Sequence, residues 1–314
     1  MVNIIRKAWQ ASAPLTFTAL LMLAAFVVSS AGIFLDSRII TGTPAWLKPA
    51  KFAISTTLYC GTLAWLYRWL DIWPRFLRAM AWVTSFVIVA EVVLIDMQAA
   101  RGTTSHFNAS TPLDATLYAV MGTMIAVLWL ASIGILAAAI RQKFENPAWG
   151  WSVRLGLLIA VIGAGMGGLM TRPTPDQLAE IRQHQTVRVV GAHTVGAADG
   201  GPGIPGVGWS TGHGDVRIPH FFGLHALQII PLLGWLISRR QGRNSVKLVF
   251  AAAGSYLGLV AILAWQALRG QSILDPDGAT LLAFTIWLVA TVVTMVAFRR
   301  PKIGALTPRY AFFV

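Results

Sequence analysis

The segment DVRIPHFFGLHALQ, residues 215 to 228, places Asp215, Arg217, His220, His225 and Gln228 at the head of an otherwise apolar run. Imidazole titrates near neutral pH and ligates transition metals, so these histidines raise proton transfer and metal binding as candidate chemistries. On a helix His220 and His225 lie about 7.5 Å apart along the axis and about 140° apart around it, whereas His225 and Gln228 share a face. One helix cannot easily point both rings at one small ion, so other segments have to contribute.

A second apolar run, AEVVLIDMQ, carries Glu91 and Asp96. An ionisable group well inside such a run is costly and normally faces a partner or a wet cavity. Counted outward from Arg78, Glu91 falls roughly 20 Å and Asp96 roughly 27 Å along the helix. This matches Glu91 in depth with His225 and Asp96 with His220. The next loop, RGTTSHFNAS, adds Arg101, His106 and Asn108; Lys51 opens another run on the same side, and His193, His213 and Asp215 come from a long later loop.

These types divide by role. Glu91 and Asp96 are the candidate catalytic acid and base groups. Lys51, Arg101, Arg217 and Gln228 are candidates for holding a polar or anionic ligand, and His106, His220 and His225 for ligating a metal. Imidazole and carboxylate suit a transition metal such as zinc, which could activate water. Haem suits the pattern less well, because it asks for two opposed histidines and only one apolar run carries any. Each residue also has a plain structural reading, as an interhelical hydrogen bond or a snorkelling interfacial anchor.

The elements that must position these groups are membrane helices. Of 314 residues 56% are hydrophobic and 12% charged, too apolar for an ordinary soluble domain. The net charge of +13 sits in short clusters between apolar runs, a membrane-topology pattern in place of a nucleic-acid footprint. The single cysteine, Cys60, excludes a disulfide framework and Cys-based metal motifs.

A bilayer core needs roughly 20 apolar residues per helix. Eight stretches qualify, at 14–35, 50–70, 79–99, 113–140, 150–170, 219–238, 246–268 and 280–298. The basic N-terminal start MVNIIRKAWQASAP reads as the flank of a retained first span, since no convincing cleavage site follows. Ser110, Thr111 and Pro112 should cap the fourth span, Pro219 open the sixth, and Asp275 to Gly278 turn into the eighth.

The expected fold is thus an all-α polytopic bundle, one transmembrane domain over residues 1–314. Arg6, Lys7, Arg68, Arg75, Arg78, Arg141, Lys143, Arg154, Arg239, Arg240, Arg243, Lys247, Arg299, Arg300, Lys302 and Arg309 fall on one side, which makes both termini cytoplasmic. All six histidines then lie outside or in the outer half of the bilayer. A bacterial inner membrane, with the polar site facing the periplasm or exterior, is the expected location.

The loop at about 171–218 is long enough to require a reason. Thr174 and Gln177 form a capping box for a short helix, TVRVVGAHTV could pair as a strand, and GAADGGPGIPGVGWSTGHGD is rich in turn positions. Packing on the membrane surface and a flexible linker are both open to it. Gly163, Gly165 and Gly168 formally match a dinucleotide fingerprint, but inside a span the GxxxG pair Gly163 and Gly167 reads as a close helix contact. No internal repeat is evident.

The pattern GAHTVG, DGGPGIPGVGWST and DVRIPHFFGLHALQ, with RGTTSHFN before it, resembles a group of bacterial polytopic membrane proteins that implies no particular activity. An analogy with membrane hydrolases of the alkaline ceramidase and progestin-receptor type, whose zinc site uses several histidines and an aspartate, fails on spacing, since His220 and His225 are five apart instead of four. Three function classes remain. The first is a metal-dependent enzyme or redox protein with an outward-facing His/Glu site. The second is a proton-coupled transporter that takes a small molecule or ion from the outer side. The third is a receptor or assembly partner that uses the long loop.

Overall fold

The computed structural model describes residues 2–239 and 244–299. The basic residues Arg240, Arg243, Arg300, Lys302 and Arg309 lie outside the described residues. An amphipathic helix α1 (Val2–Ala11) leads into α2 (Ala13–Leu35), α3 (Leu47–Leu66), α4 (Pro74–Ala100), α5 (Pro112–Arg141) and α6 (Pro147–Met170). A short helix α7 (Pro175–Arg182) follows, then α8 (Arg217–Ser238), α9 (Ser245–Leu268) and α10 (Gly278–Arg299). The chain is an all-α polytopic membrane bundle.

Seven of these helices are long and apolar enough to cross a membrane. The exception among the eight expected spans is α3, whose Lys48, Lys51, Ser55, Thr56 and Thr57 dilute its apolar character. Its 20 residues nonetheless extend about 30 Å, from one end of the bundle to the other. Near its start Lys51 reaches the long loop, and beyond its end Tyr67 donates to Leu77 O at the start of α4.

Helix starts follow the local chemistry. Thr111 accepts from Asp114 N at 3.1 Å with Pro112 in the first turn, Asn146 accepts from Trp149 N with Pro147 next, and Asp277 accepts from Thr280 N. Pro lacks the amide that would be unpaired there anyway. Pro219 sits within the first turn of α8, which already begins at Arg217, so it does not open the helix as expected.

The tightest helix pair is α6 with α8. Gly163 faces Gly223 so closely that a Cβ on Gly163 would stand 2.5 Å from the Gly223 carbonyl carbon, and Gly156 lies against Pro231 in the same way. Without a hydrophobic drive between helices in lipid, backbone approach of this kind is what holds them. At the far side, α10 is tied to α9 by Ser255 with Thr291 at 2.7 Å and by Trp287 Nε1 donating to Ser255 O.

The long loop is a folded cap. Its capping box forms as expected, with Thr174 and Gln177 bonding reciprocally. The expected strand is limited to β3 (Thr194–Val195), which pairs antiparallel with β4 (Gly214–Asp215). A separate hairpin, β1 (Ile39–Ile40) with β2 (Thr43–Pro44), joins α2 to α3. Ala109 N donates to Arg188 O, Val190 N to Phe107 O, Ala192 N to Met170 O and Ser272 Oγ to Thr211 O. These bonds sew the cap to the neighbouring loops, which a free linker could not do.

Candidate functional site

The capped end gathers Glu91, His106, Lys48 and His193 from a span, two loops and a helix start. Glu91 is on α4, 3% exposed, and neither carboxyl oxygen has a hydrogen-bond partner. His106 Nε2 stands 3.5 Å from Glu91 Oε1, and its Nδ1 is 3.0 Å from Ser105 Oγ. When Nδ1 carries the proton and donates to Ser105, Nε2 presents a lone pair to the carboxyl. Burial, with Lys48 and His193 nearby, holds the His106 imidazole well below the usual range.

The segment that delivers His106 is constrained. Phe107 adopts a left-handed φ of 62°, unusual for an aromatic residue, and its ring packs 4.8 Å from His193 and 5.7 Å from Tyr118. Gly191 fits against Phe107 only because it has no side chain: a Cβ there would stand 2.7 Å from the ring. Such a backbone persists only when its surroundings over-determine it, and strain of this kind collects at functional sites.

His193 is fixed by Asp199, whose carboxylate accepts from the ring Nδ1 at 2.6 Å and from the amides of His193 and Thr194. Burial works against the Asp199 charge, but these donors outweigh it and keep the carboxyl well below the usual carboxylate range. Arg217 pairs with Asp215 at 2.5 Å and also donates to Gly208 O at 2.6 Å, while Lys51 donates to Val207 O at 2.5 Å. Two cations thus pin consecutive carbonyls of the Gly/Pro stretch.

The residues expected to act together are only partly brought together. Glu91 and His225, matched in depth along their helices, do not meet: His225 Nδ1 is 3.2 Å from Gln228 Oε1, and Gln228 Nε2 donates to Thr62 on α3. Glu91 faces His106 instead. His220 donates from Nδ1 to Gly163 O at 2.8 Å, which spends that ring on the α6 contact.

The metal set His106, His220 and His225 is therefore dispersed among three different partners. Among the described residues no three His, Cys, Asp or Glu side chains are placed to share a metal ion. Asp96 lies about one and a half turns beyond Glu91, with Oδ1 buried and without a hydrogen-bond partner, and takes no part in the contact between Glu91 and His106. Arg101 bonds Gln98 and Asp114, at 2.8 Å for the latter, as part of the cap on α5.

In comparisons with known proteins, no family model, no curated protein and no solved structure matches this chain.

Lys48 and Phe52 were not singled out from the sequence, and His193 was counted only as a loop histidine on the same side. Yet Phe52 links them, with its ring 5.9 Å below Lys48 Nζ and 5.7 Å from the His106 ring. The available signal for Lys48 was its spacing of three from Lys51, which puts both on one helix face. The same face of α4 carries Thr84, Glu91 and Gln98 at seven-residue intervals, all buried, so polar groups extend further inward than expected.

Proposed function

We propose that this multi-pass membrane protein is a proton-coupled carrier whose Glu91 and His106 exchange a proton beneath the cap, with the capped end facing outward. The observation that carries this reading is the buried Glu91 carboxyl, unpartnered by any hydrogen bond and facing His106 Nε2 at 3.5 Å. An unsatisfied buried polar group calls for an explanation, and a carboxyl inside a span opposite an imidazole has the chemistry of a proton relay. The basic flanks at the uncapped end support the outward orientation. A metal-dependent reading has less behind it, since the candidate ligands diverge.

Infrared difference spectroscopy of the purified protein tests the proposal. The carbonyl stretch of a protonated carboxyl should respond as the pH is stepped between about 5 and about 8. The band should vanish in Glu91→Gln and shift in His106→Gln. In proteoliposomes a pH gradient should drive proton uptake by wild type only. A spectrum without any Glu91-dependent band across that range would sink the reading.

A further inference from the structure

The Lys48 ammonium is the one basic group of the capped cluster without a hydrogen bond or ion pair among the described residues. Lys51 and Arg217 are spent on the loop carbonyls of Val207 and Gly208, and Arg217 on Asp215. Lys48 has only the Phe52 face beneath it, 5.9 Å away. That face continues, ring to ring, to His106 and so to Glu91. Lys48 therefore stands at the head of the same series that ends in the proton pair.

The charges around Lys48 come from four elements: Lys51 on its own helix, Arg217 on α8, Glu91 on α4 and Asp199 in the cap. His106 and His193 complete the titratable surroundings. Asp199 is committed to His193, and Asp215 to Arg217. Neither carboxylate is within ion-pair distance of Lys48, so the like charges of Lys51 and Arg217 are left with a third, unanswered cation. A half-buried ammonium in that position is stabilised best by an oxyanion, through a charge-assisted hydrogen bond.

We infer that Lys48 anchors a small oxyanion, a carboxylate or phosphate group, at the capped end, where Lys51 and Arg217 are already committed to loop carbonyls. This names the substrate class for the proton-coupled site and rests on that reading for its coupling, though not for binding itself. An arriving monoanion brings a negative charge beside Glu91 and Asp199, and a proton taken up with it leaves the net charge of the cluster unchanged. Anion and proton would then move together.

Binding is measured on the full chain in phosphatidylcholine nanodiscs, with radiolabelled inorganic phosphate and acetate as separate probes. At least one probe should bind saturably. Lys48→Met and Lys48→Gln should weaken it by about tenfold to a hundredfold, the worth of a charge-assisted bond, while Lys48→Arg keeps most of it. In weak buffer, anion addition should draw protons from solution in wild type and not in Glu91→Gln.

If Glu91→Gln binds as wild type and wild type takes up no proton, the oxyanion site stands and the proton coupling falls. If neither soluble probe binds but phosphatidylglycerol nanodiscs stabilise wild type and not Lys48→Met, the oxyanion is a lipid headgroup held by the same lysine. No binding to wild type from any of the three sources, or binding undiminished in both neutral Lys48 variants, overturns the inference.

Discussion

Adding one methyl group at Gly163 should separate α6 from α8, whereas the same change five residues away should not. The Cβ of Gly163→Ala would stand 2.5 Å from the Gly223 Cα and carbonyl carbon and 2.7 Å from Leu224 N, all backbone atoms that cannot swing aside. Ordinary contact begins near 3.4 Å, so the helices must part by about 0.9 Å. Overpacking of this kind costs about 1 to 3 kcal/mol. The same movement stretches the 2.8 Å bond from His220 to Gly163 O past hydrogen-bond range, worth about 1 kcal/mol more. Gly168→Ala meets nothing within 4 Å and should gain a few tenths to about 1 kcal/mol from helix propensity. Unfolding in detergent followed by tryptophan fluorescence should therefore separate the two variants by about 3 kcal/mol. Equal stability of Gly163→Ala and Gly168→Ala would refute the close-contact account of this helix pair.

Two further outcomes follow from the cap. Burial depresses the His106 imidazole, so the folded cap binds fewer protons than the opened one. Its stability is full above the free imidazole value of about 6.5 and declines as pH falls below that, by up to about 1.4 kcal/mol per pH unit. Hydrogen exchange at Ala109 and Val190, whose amides join the two loops, should report this loss, and His106→Phe should flatten it. Asp215→Asn leaves the Arg217 charge without its carboxylate partner in a largely buried setting, a cost of about 3 kcal/mol or more. Limited proteolysis should then cut between residues 200 and 212, where wild type resists; unchanged resistance would count against Arg217 as a pin.

Composition and periodicity were enough for the membrane bundle, because a bilayer forces long apolar helices with internally satisfied backbones. The helix starts at Thr111, Thr174 and Asp277 were readable because caps depend on adjacent residues, whereas the cap at Asn146, ahead of the expected span, was not singled out. Gly163 was legible as a close-contact position from its spacing, but its partner Gly223 was not. The site was legible in part. Glu91 stood out because a carboxyl in a span is expensive anywhere, and the end at which the histidines collect followed from counting spans.

Which histidine meets Glu91 was beyond the sequence. Depth along two helices fixes a height and leaves the rotation of each helix about its axis open. Tertiary packing sets that rotation, and it turns His225 toward Gln228 and Thr62 while a left-handed Phe107 swings His106 over Glu91. Sequence by itself determined a helical membrane protein with its polar groups concentrated at one end. Only the tertiary structure decided that the Gly/Pro stretch is a pinned cap, that Arg101 and Arg217 are consumed by Asp114 and Asp215, and that Lys48 is left over. Pairings between distant segments depend on packing and on a cap closing over charges, and neither is encoded in local spacing.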